Sequence, residues 1–395
     1  MKRFLKILTG FALFIGLICL LLVVSGNGHI LNGIGKTYLI GQTRPDIDDM
    51  ERHDLRKVPS GDHLLWKMAD ETYDLTKGDY DFAKLIESTA FLVIHDGEIL
   101  CEQYWEGTDA NTYSNSFSMA KSFTALAIAH AYEAGLISSL DASVCAYLPE
   151  YCSDLDQQIT IRNLLQMASG IDFGESYSDP FGYQAKAYYG TRLADVTMEY
   201  NATIPPGTEW KYEGGNTVLL SLILQKATGK RLSEYFAEHI WAPLGSSQDA
   251  YWNLDRVGGL EKSFSAFYAG ARDYARIGQM YLDSGMWNGS RILSKEWVEA
   301  STTPVMIPDV DDMPYEYYGL HWWLGEFDGQ PFYSCRGMRG QYIVCIPHLD
   351  AVFVRLGHDR IETFKNGASL DLWRFLEITK SIVNQHERRT ASVEG

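Results

Sequence analysis

Ser116-Phe117-Ser118-Met119-Ala120-Lys121-Ser122-Phe123 sets a lysine three residues after a serine, one turn apart on a helix. At that spacing the Ser118 hydroxyl and the Lys121 amine come within hydrogen-bonding reach, and a hydroxyl beside an amine is an activatable nucleophile. The following residues, Met119 to Ala134, are small and apolar nearly all round and stop at Gly135. That pattern predicts a buried helix with a glycine C-cap. Burial strips water from Lys121 and favours the neutral amine, which can take a proton from serine. Ser118 would stand at the helix N-terminus, where unpaired N–H groups can hold an oxyanion. Ser-x-x-Lys occurs once in this chain, and roughly one or two such spacings arise by chance at this length, so context has to carry the assignment.

Upstream, Ala90 to Trp105 reads as two strand-like runs joined by Asp96-Gly97, a hairpin signal that leads directly to Ser118. Asp81 to Ser88 is a short helix before it. Downstream the pattern turns helical: Ile161 to Met167 ends at Ser169-Gly170, and Thr217 to Thr228 ends at Gly229. Ala271 to Leu282 and Ser294 to Ser301 are further helices. Tyr318 to Glu326, Pro331 to Arg336, Gln341 to Pro347 and Ala351 to Leu356 then alternate with turn residues, as an antiparallel meander does, and a helix from about Leu370 to Val383 can cover it. Two strands, many helices, several strands and a last helix imply one sheet interrupted by a helical insertion. No internal repeat or low-complexity segment is present.

The chain has 395 residues, 46% hydrophobic and 22% charged, enough to bury a large core. A net charge of −17 leaves no basic stripe for phosphates, which excludes nucleic acid as a partner. Of six cysteines, Cys19 lies in the N-terminal apolar run, and the remaining five cannot all pair. No Cys-x-x-Cys occurs, which argues against zinc, while Cys145 and Cys152 can form a disulfide in an oxidising compartment. Residues Met1 to Val24 are long and apolar enough to cross a bilayer, and Lys2, Arg3 and Lys6 hold the amino end in the cytoplasm. The expected layout is a transmembrane anchor or signal segment (1–26), a linker and irregular lead-in (27–79), a catalytic domain (80–386, its helical part about 135–244) and a flexible tail (387–395). The catalytic domain is expected in the periplasm or outside the cell, secreted if Val24-Ser25-Gly26 is cut.

Taken together, the serine motif after a hairpin, a tyrosine motif in the helical part and a glycine motif on a late strand resemble the serine β-lactamases of class C type and their penicillin-binding relatives. Thr160 to Gly170, Pro206 to Tyr212, Arg272 to Gly278, Tyr318 to Trp323 and Gly340 to Pro347 look most like the 6-aminohexanoate-dimer hydrolases and related esterases. The resemblance implies a β-lactamase/transpeptidase-like α/β (α+β) fold, with a mostly antiparallel sheet flanked by helices and a cleft beside the helical subdomain. It also implies Tyr212 as a proton-sharing partner of Lys121, and Met338 N–H as a second oxyanion donor beside that of Ser118. Gly214, Arg336 and Gly337 fall at substrate-binding positions of the family motifs. Gly214 stands where an asparagine amide is usual, and Cys335-Arg336-Gly337-Met338 lacks the usual lysine and threonine, although Arg336 or Arg339 can still supply charge. These departures argue against a β-lactam and for a small ester or linear amide. No metal or organic cofactor is implied. Asp172, Glu175 and Glu213 are candidates for orienting a cationic substrate end, and His321 and His358 read as structural. Two other readings are a D-alanyl-D-alanine carboxypeptidase or β-lactamase, and a non-catalytic ligand-binding domain on the same scaffold.

Overall fold

The computed structural model describes residues 1–394. Helix α1 (Lys2–Val24) buries none of its side chains. It is followed by α2 (His29–Lys36) and strands β1 (Leu55–Val58) and β2 (Lys67–Met68). The stretch read from composition as a linker therefore carries regular structure. Some of its polar residues are matched within the fold: Arg56 pairs with Glu261 at 2.6 Å, and Lys36 Nζ meets His53 Nδ1 at 3.0 Å. Helix α3 (Lys77–Leu85) begins earlier than expected because the Thr76 hydroxyl accepts the Asp79 N–H at 3.2 Å, and it ends before Ser88 enters the sheet.

Strands β3 (Ser88–His95) and β4 (Glu98–Tyr104) form the expected hairpin. Asp96 and Gly97 both take positive φ, +47° and +70°, the backbone a two-residue turn between twisted strands requires. Side chains alternate along β3: Phe91 and Val93 enter one core, Leu92 and Ile94 the other. Strand β5 (Ser114–Asn115) leads into α4 (Met119–Glu133), which is buried on nearly every face and is followed by Gly135 at φ +72°. Five helices follow: α5 (Ile161–Leu165), α6 (Tyr183–Tyr189), α7 (Leu193–Met198), α8 (Gly214–Thr228) and α9 (Leu232–Phe236). Gly229, left-handed at φ +71°, closes α8.

Next come β6 (Ala250–Asn253), β7 (Phe267–Ala269), α10 (Ala271–Leu282), the small hairpin β8 (Met286–Trp287) and β9 (Ser290–Arg291), and α11 (Lys295–Ser301). The meander is β10 (Trp323–Phe327), β11 (Gln330–Gly337), β12 (Gln341–Ile346) and β13 (Ala351–Gly357), and α12 (Leu370–Glu394) ends the chain. Strand β10 is shorter than the Tyr318 to Glu326 run suggested. Tyr318, Leu320, His321 and Trp322 turn inward instead, with His321 at φ +61°, and all four are buried. Helix α12 likewise continues through the segment expected as a tail, as far as Glu394.

The main sheet has the order β10-β11-β12-β13-β3-β4-β2, antiparallel except for the β2–β4 edge. Pairing of β13 with β3 joins the chain's first hairpin to its last meander. Helix α10 seats on one face so closely that a Cβ on Gly278 would lie 2.6 Å from Val352. Phe375 of α12 stacks on Phe91 at 5.0 Å on the other. A second sheet, β1-β6-β7-β5, supports the turn before α4. Cys145 and Cys152 are joined by a disulfide.

Candidate active site

The turn that carries Ser118 is clamped before the helix begins. Ser116 N–H donates to Phe267 O at 2.7 Å, the Ser116 hydroxyl accepts the Phe267 N–H at 3.1 Å, and Phe117 N–H donates to Asn115 Oδ1 at 2.9 Å. Phe117 is held at φ +45°, a conformation that costs a bulky residue energy and persists only under such restraint. The strain turns Ser118 out as the N-cap of α4. Among the described residues the Ser118 N–H meets no acceptor, so it is free to donate to an oxyanion.

Lys121 is 2% exposed, and its Nζ has two partners: Ser118 Oγ at 3.1 Å and the Phe264 carbonyl at 3.0 Å. The same nitrogen lies over the Tyr212 ring, 4.8 Å from its centre, and over the Phe264 ring at 5.8 Å. Tyr212 thus presents its face to Lys121, and among the described residues its hydroxyl makes no hydrogen bond. The ring is braced by Trp323 and Tyr318, with centroids 5.2 and 6.0 Å away.

Strand β11 closes the opposite side. A Cβ on Gly337 would sit 2.2 Å from Ser116 O, so only glycine lets this strand lie against the turn that carries Ser118. Met338 follows at once and shares a cavity of about 540 Å³ with Ser118 and Lys121. The structure therefore brings together Ser118, Lys121, Tyr212, Gly337 and Met338.

It does not bring Arg336, Arg339 or Gly214 to the cavity wall. Arg336 donates to Ser334 Oγ at 2.8 Å and Gly367 O at 2.6 Å beneath the Trp323 ring, and burial lowers its guanidinium to about 10. Arg339 is paired with Asp46 at 2.6 Å. Gly214 opens α8 and gives its N–H to Glu175 at 2.8 Å, and a Cβ there would press Gln184 and Phe264 at 3.2 Å. A larger residue there would require those two side chains to give way by a few tenths of an ångström.

The three acidic candidates fasten the loop from Asp172 onward instead of lining the cavity. Asp172 pairs with Lys211, and Glu175 accepts from Tyr177, Gln184 and Gly214. Glu213 accepts the N–H groups of Phe173 (3.2 Å) and Gly174 (3.0 Å) and the Lys211 ammonium (3.1 Å), and burial pushes its carboxyl up to about 7. His321 is buried between Leu165 O (2.8 Å) and Thr217 Oγ1 (2.9 Å), where desolvation lowers it to about 3. His358 is held by Asp46 at 2.7 Å, which raises it. Neither belongs to the cavity lining.

Two contributors escaped the sequence reading. Phe264 supplies a backbone carbonyl to Lys121, and a carbonyl leaves no signature in residue type. Ile30 and Ile34 of α2 form a wall of the cavity, although they belong to a stretch whose composition reads as linker.

With this geometry in place, known proteins can be compared. The family model described as Beta-lactamase matches residues 79–368. Over 297 residues the chain is 30% identical to the 6-aminohexanoate-dimer hydrolase of Paenarthrobacter ureafaciens, covering 70% of this chain and 74% of that one. Among solved structures, a candidate 6-aminohexanoate-dimer hydrolase from Bacillus anthracis superposes with a TM-score of 0.73 at 21% identity, covering 87% of this chain and 94% of the other. A family VIII carboxylesterase superposes with a TM-score of 0.62 at 17% identity, over 77% and 95% of the two chains.

Proposed function

The chain belongs to the Beta-lactamase family of hydrolases, and on that premise we propose that it cleaves an ester or linear amide through an acyl-enzyme on Ser118. The observation that carries this reading is the 3.1 Å contact from Lys121 Nζ to Ser118 Oγ at the head of a buried helix. Ser118 Oγ attacks the substrate carbonyl carbon while its proton passes to the Lys121 amine. The oxyanion is held by the N–H groups of Ser118 and Met338. Collapse breaks the C–O or C–N bond, and the leaving group takes the proton from Lys121, with the Tyr212 hydroxyl as relay. Water then attacks the Ser118 ester, returns a proton by the same route and releases the acid. The Tyr212 face stabilises the lysine ammonium formed midway.

A linear substrate is favoured over a β-lactam because Gly214 offers no amide and the guanidinium of Arg336 is engaged away from the cavity. We read α1 as an uncleaved membrane anchor that leaves the remainder, including residues 80–386, outside the cytoplasm. A mean hydropathy of 3.0 over its most apolar 18 residues, three basic residues at its start and the Cys145–Cys152 disulfide support that placement.

The test is rapid-quench turnover with p-nitrophenyl acetate, the 6-aminohexanoate dimer, a D-alanyl-D-alanine peptide and a chromogenic cephalosporin. The expected result is a burst of nitrophenol with acetyl recovered on the Ser118 peptide, followed by steady ester or amide turnover. Turnover of the peptide or cephalosporin alone would shift the assignment to those reactions.

A further inference from the structure

The cavity over Ser118 is walled by the helix that follows the apolar N-terminal span. Only residues 25–28 separate α1 from α2, about 14 Å if fully extended. The link is in fact folded back, with Asn27 N–H donating to Leu22 O at 2.7 Å. Whatever surface α1 meets, the first turn of α2 lies beside it.

Helix α2 is seated firmly on the body. His29 Nε2 contacts Pro180 O at 2.8 Å, Asn32 Nδ2 donates to Tyr189 O at 3.1 Å, and a Cβ on Gly33 would lie 3.3 Å from the Tyr189 ring. Ile30 and Ile34 thereby line the cavity together with Tyr177, Tyr188 and Tyr189, and Ser118 and Lys121 belong to the same lining. Apolar and aromatic side chains give the larger share of this lining, and polar groups such as Arg44, Asp179 and Gln184 complete it.

Next to lining residues Tyr38 and Pro180, a group of apolar side chains faces solvent. Tyr38, Leu39 and Ile40, just after α2, are 63%, 78% and 47% exposed, and Phe181, in the loop that His29 holds, is 54% exposed. Soluble proteins seldom group large apolar side chains at a cavity mouth without a partner. A net charge of −17 gives the chain as a whole no attraction to an anionic bilayer, so apolar contact has to supply the hold. The adjacency of the rim to α1 singles out the bilayer interface.

We propose that this cavity is an acyl-chain site fed from the membrane: the substrate is an ester or amide whose long apolar chain leaves the bilayer between α2 and the loop carrying Phe181. This rests on the Ser118 hydrolase reading and on α1 as an anchor, and it deepens both by naming the substrate class. An ester taken from water would gain about fourfold in kcat/KM for each methylene the wall buries, whereas a chain taken from lipid gains from its concentration in the bilayer beside the site.

The experiment uses the full chain in phosphatidylcholine vesicles with p-nitrophenyl acetate and p-nitrophenyl dodecanoate. The expected result is a preference for dodecanoate of at least about tenfold in kcat/KM at equal bulk concentration, because its chain partitions into the bilayer at about 0.8 kcal/mol per methylene and acetate does not. A Leu39→Asp, Phe181→Asp double variant, changed only on the rim, should lose that preference while keeping its acetate turnover. Leu39→Trp should add fluorescence that brominated lipids quench. Equal use of both esters, or an added tryptophan signal that brominated lipid leaves untouched, would overturn the proposal while leaving the hydrolase reading intact. Absence of turnover on both esters, with no fluorophosphonate adduct on Ser118, would remove the hydrolase reading itself and this inference with it.

Discussion

Replacing Gly337 with alanine adds one methyl group at the tightest approach in the site. The new Cβ would stand 2.2 Å from Ser116 O and 3.0 Å from the Gln341 Cβ. A carbon meets a carbonyl oxygen comfortably at about 3.3 Å, so strand β11 or the nucleophile turn must retreat by about 1 Å. Ser116 is already fixed to Phe267 on its other side, and the strand is the part that yields. Met338, next in the chain, moves with it, and its N–H withdraws from the position where the substrate oxyanion forms. A misplacement of that size costs on the order of 100-fold in rate, and overpacking costs about 1–3 kcal/mol of stability. The assay is kcat/KM on p-nitrophenyl acetate beside thermal unfolding. Gly78→Ala in α3, where the nearest neighbour is 3.9 Å away, is the control that should leave kcat/KM unchanged and hold or slightly raise Tm. Wild-type kcat/KM and an unchanged Tm in Gly337→Ala would refute the contact between β11 and the turn.

Further consequences can be checked separately. Tyr212→Phe keeps the ring over Lys121 and removes only the hydroxyl, so kcat should fall by about 100-fold or more with Tm unchanged, as stopped-flow ester hydrolysis and calorimetry would read. Glu213 is 1% exposed and raised to about 7 by burial, so the folded state holds its proton more tightly than the unfolded state does. Its contribution to stability is therefore full below the ordinary 4.5 and is lost as pH rises through about 7. Urea unfolding between about pH 5 and about pH 8 should show Glu213→Gln losing about 3 kcal/mol less than wild type, and parallel curves would contradict the assignment. The Cys145–Cys152 bond closes a short loop of sequence separation 7, worth about 2 kcal/mol. Reduction or Cys152→Ser should lower Tm by a few degrees and leave ester turnover intact, because the loop lies outside the cavity lining.

Legibility followed how local the determinant was. The hairpin, α4, α10 and the meander could be read because Asp96-Gly97, Gly135 and the alternating apolar runs each act over a few residues. Ser118 and Lys121 were legible for the same reason, since one helical turn fixes their contact whatever surrounds them. Tyr318 to Trp322 misled because buried aromatic residues look the same in a strand and in an inward-turning loop, and only the His321 backbone distinguishes the two. Arg336 was a plausible substrate ligand by motif position, yet its direction is set by Gly367 O, which sits 31 residues away in sequence. Composition also hid the packing of α2 and β1. Polar residues matched in ion pairs are indistinguishable, in a sequence, from polar residues left in water.

The central claim is that Ser118 is a nucleophile activated by Lys121. Intact-mass spectrometry of the protein treated with a fluorophosphonate, beside Ser118→Ala and Lys121→Ala, tests it most directly. The account predicts a single adduct mapping to Ser118 in the wild type, none in Ser118→Ala, and labelling slowed by about 1,000-fold or more in Lys121→Ala. An unlabelled wild type, or a Lys121→Ala variant that labels at the wild-type rate, would contradict it.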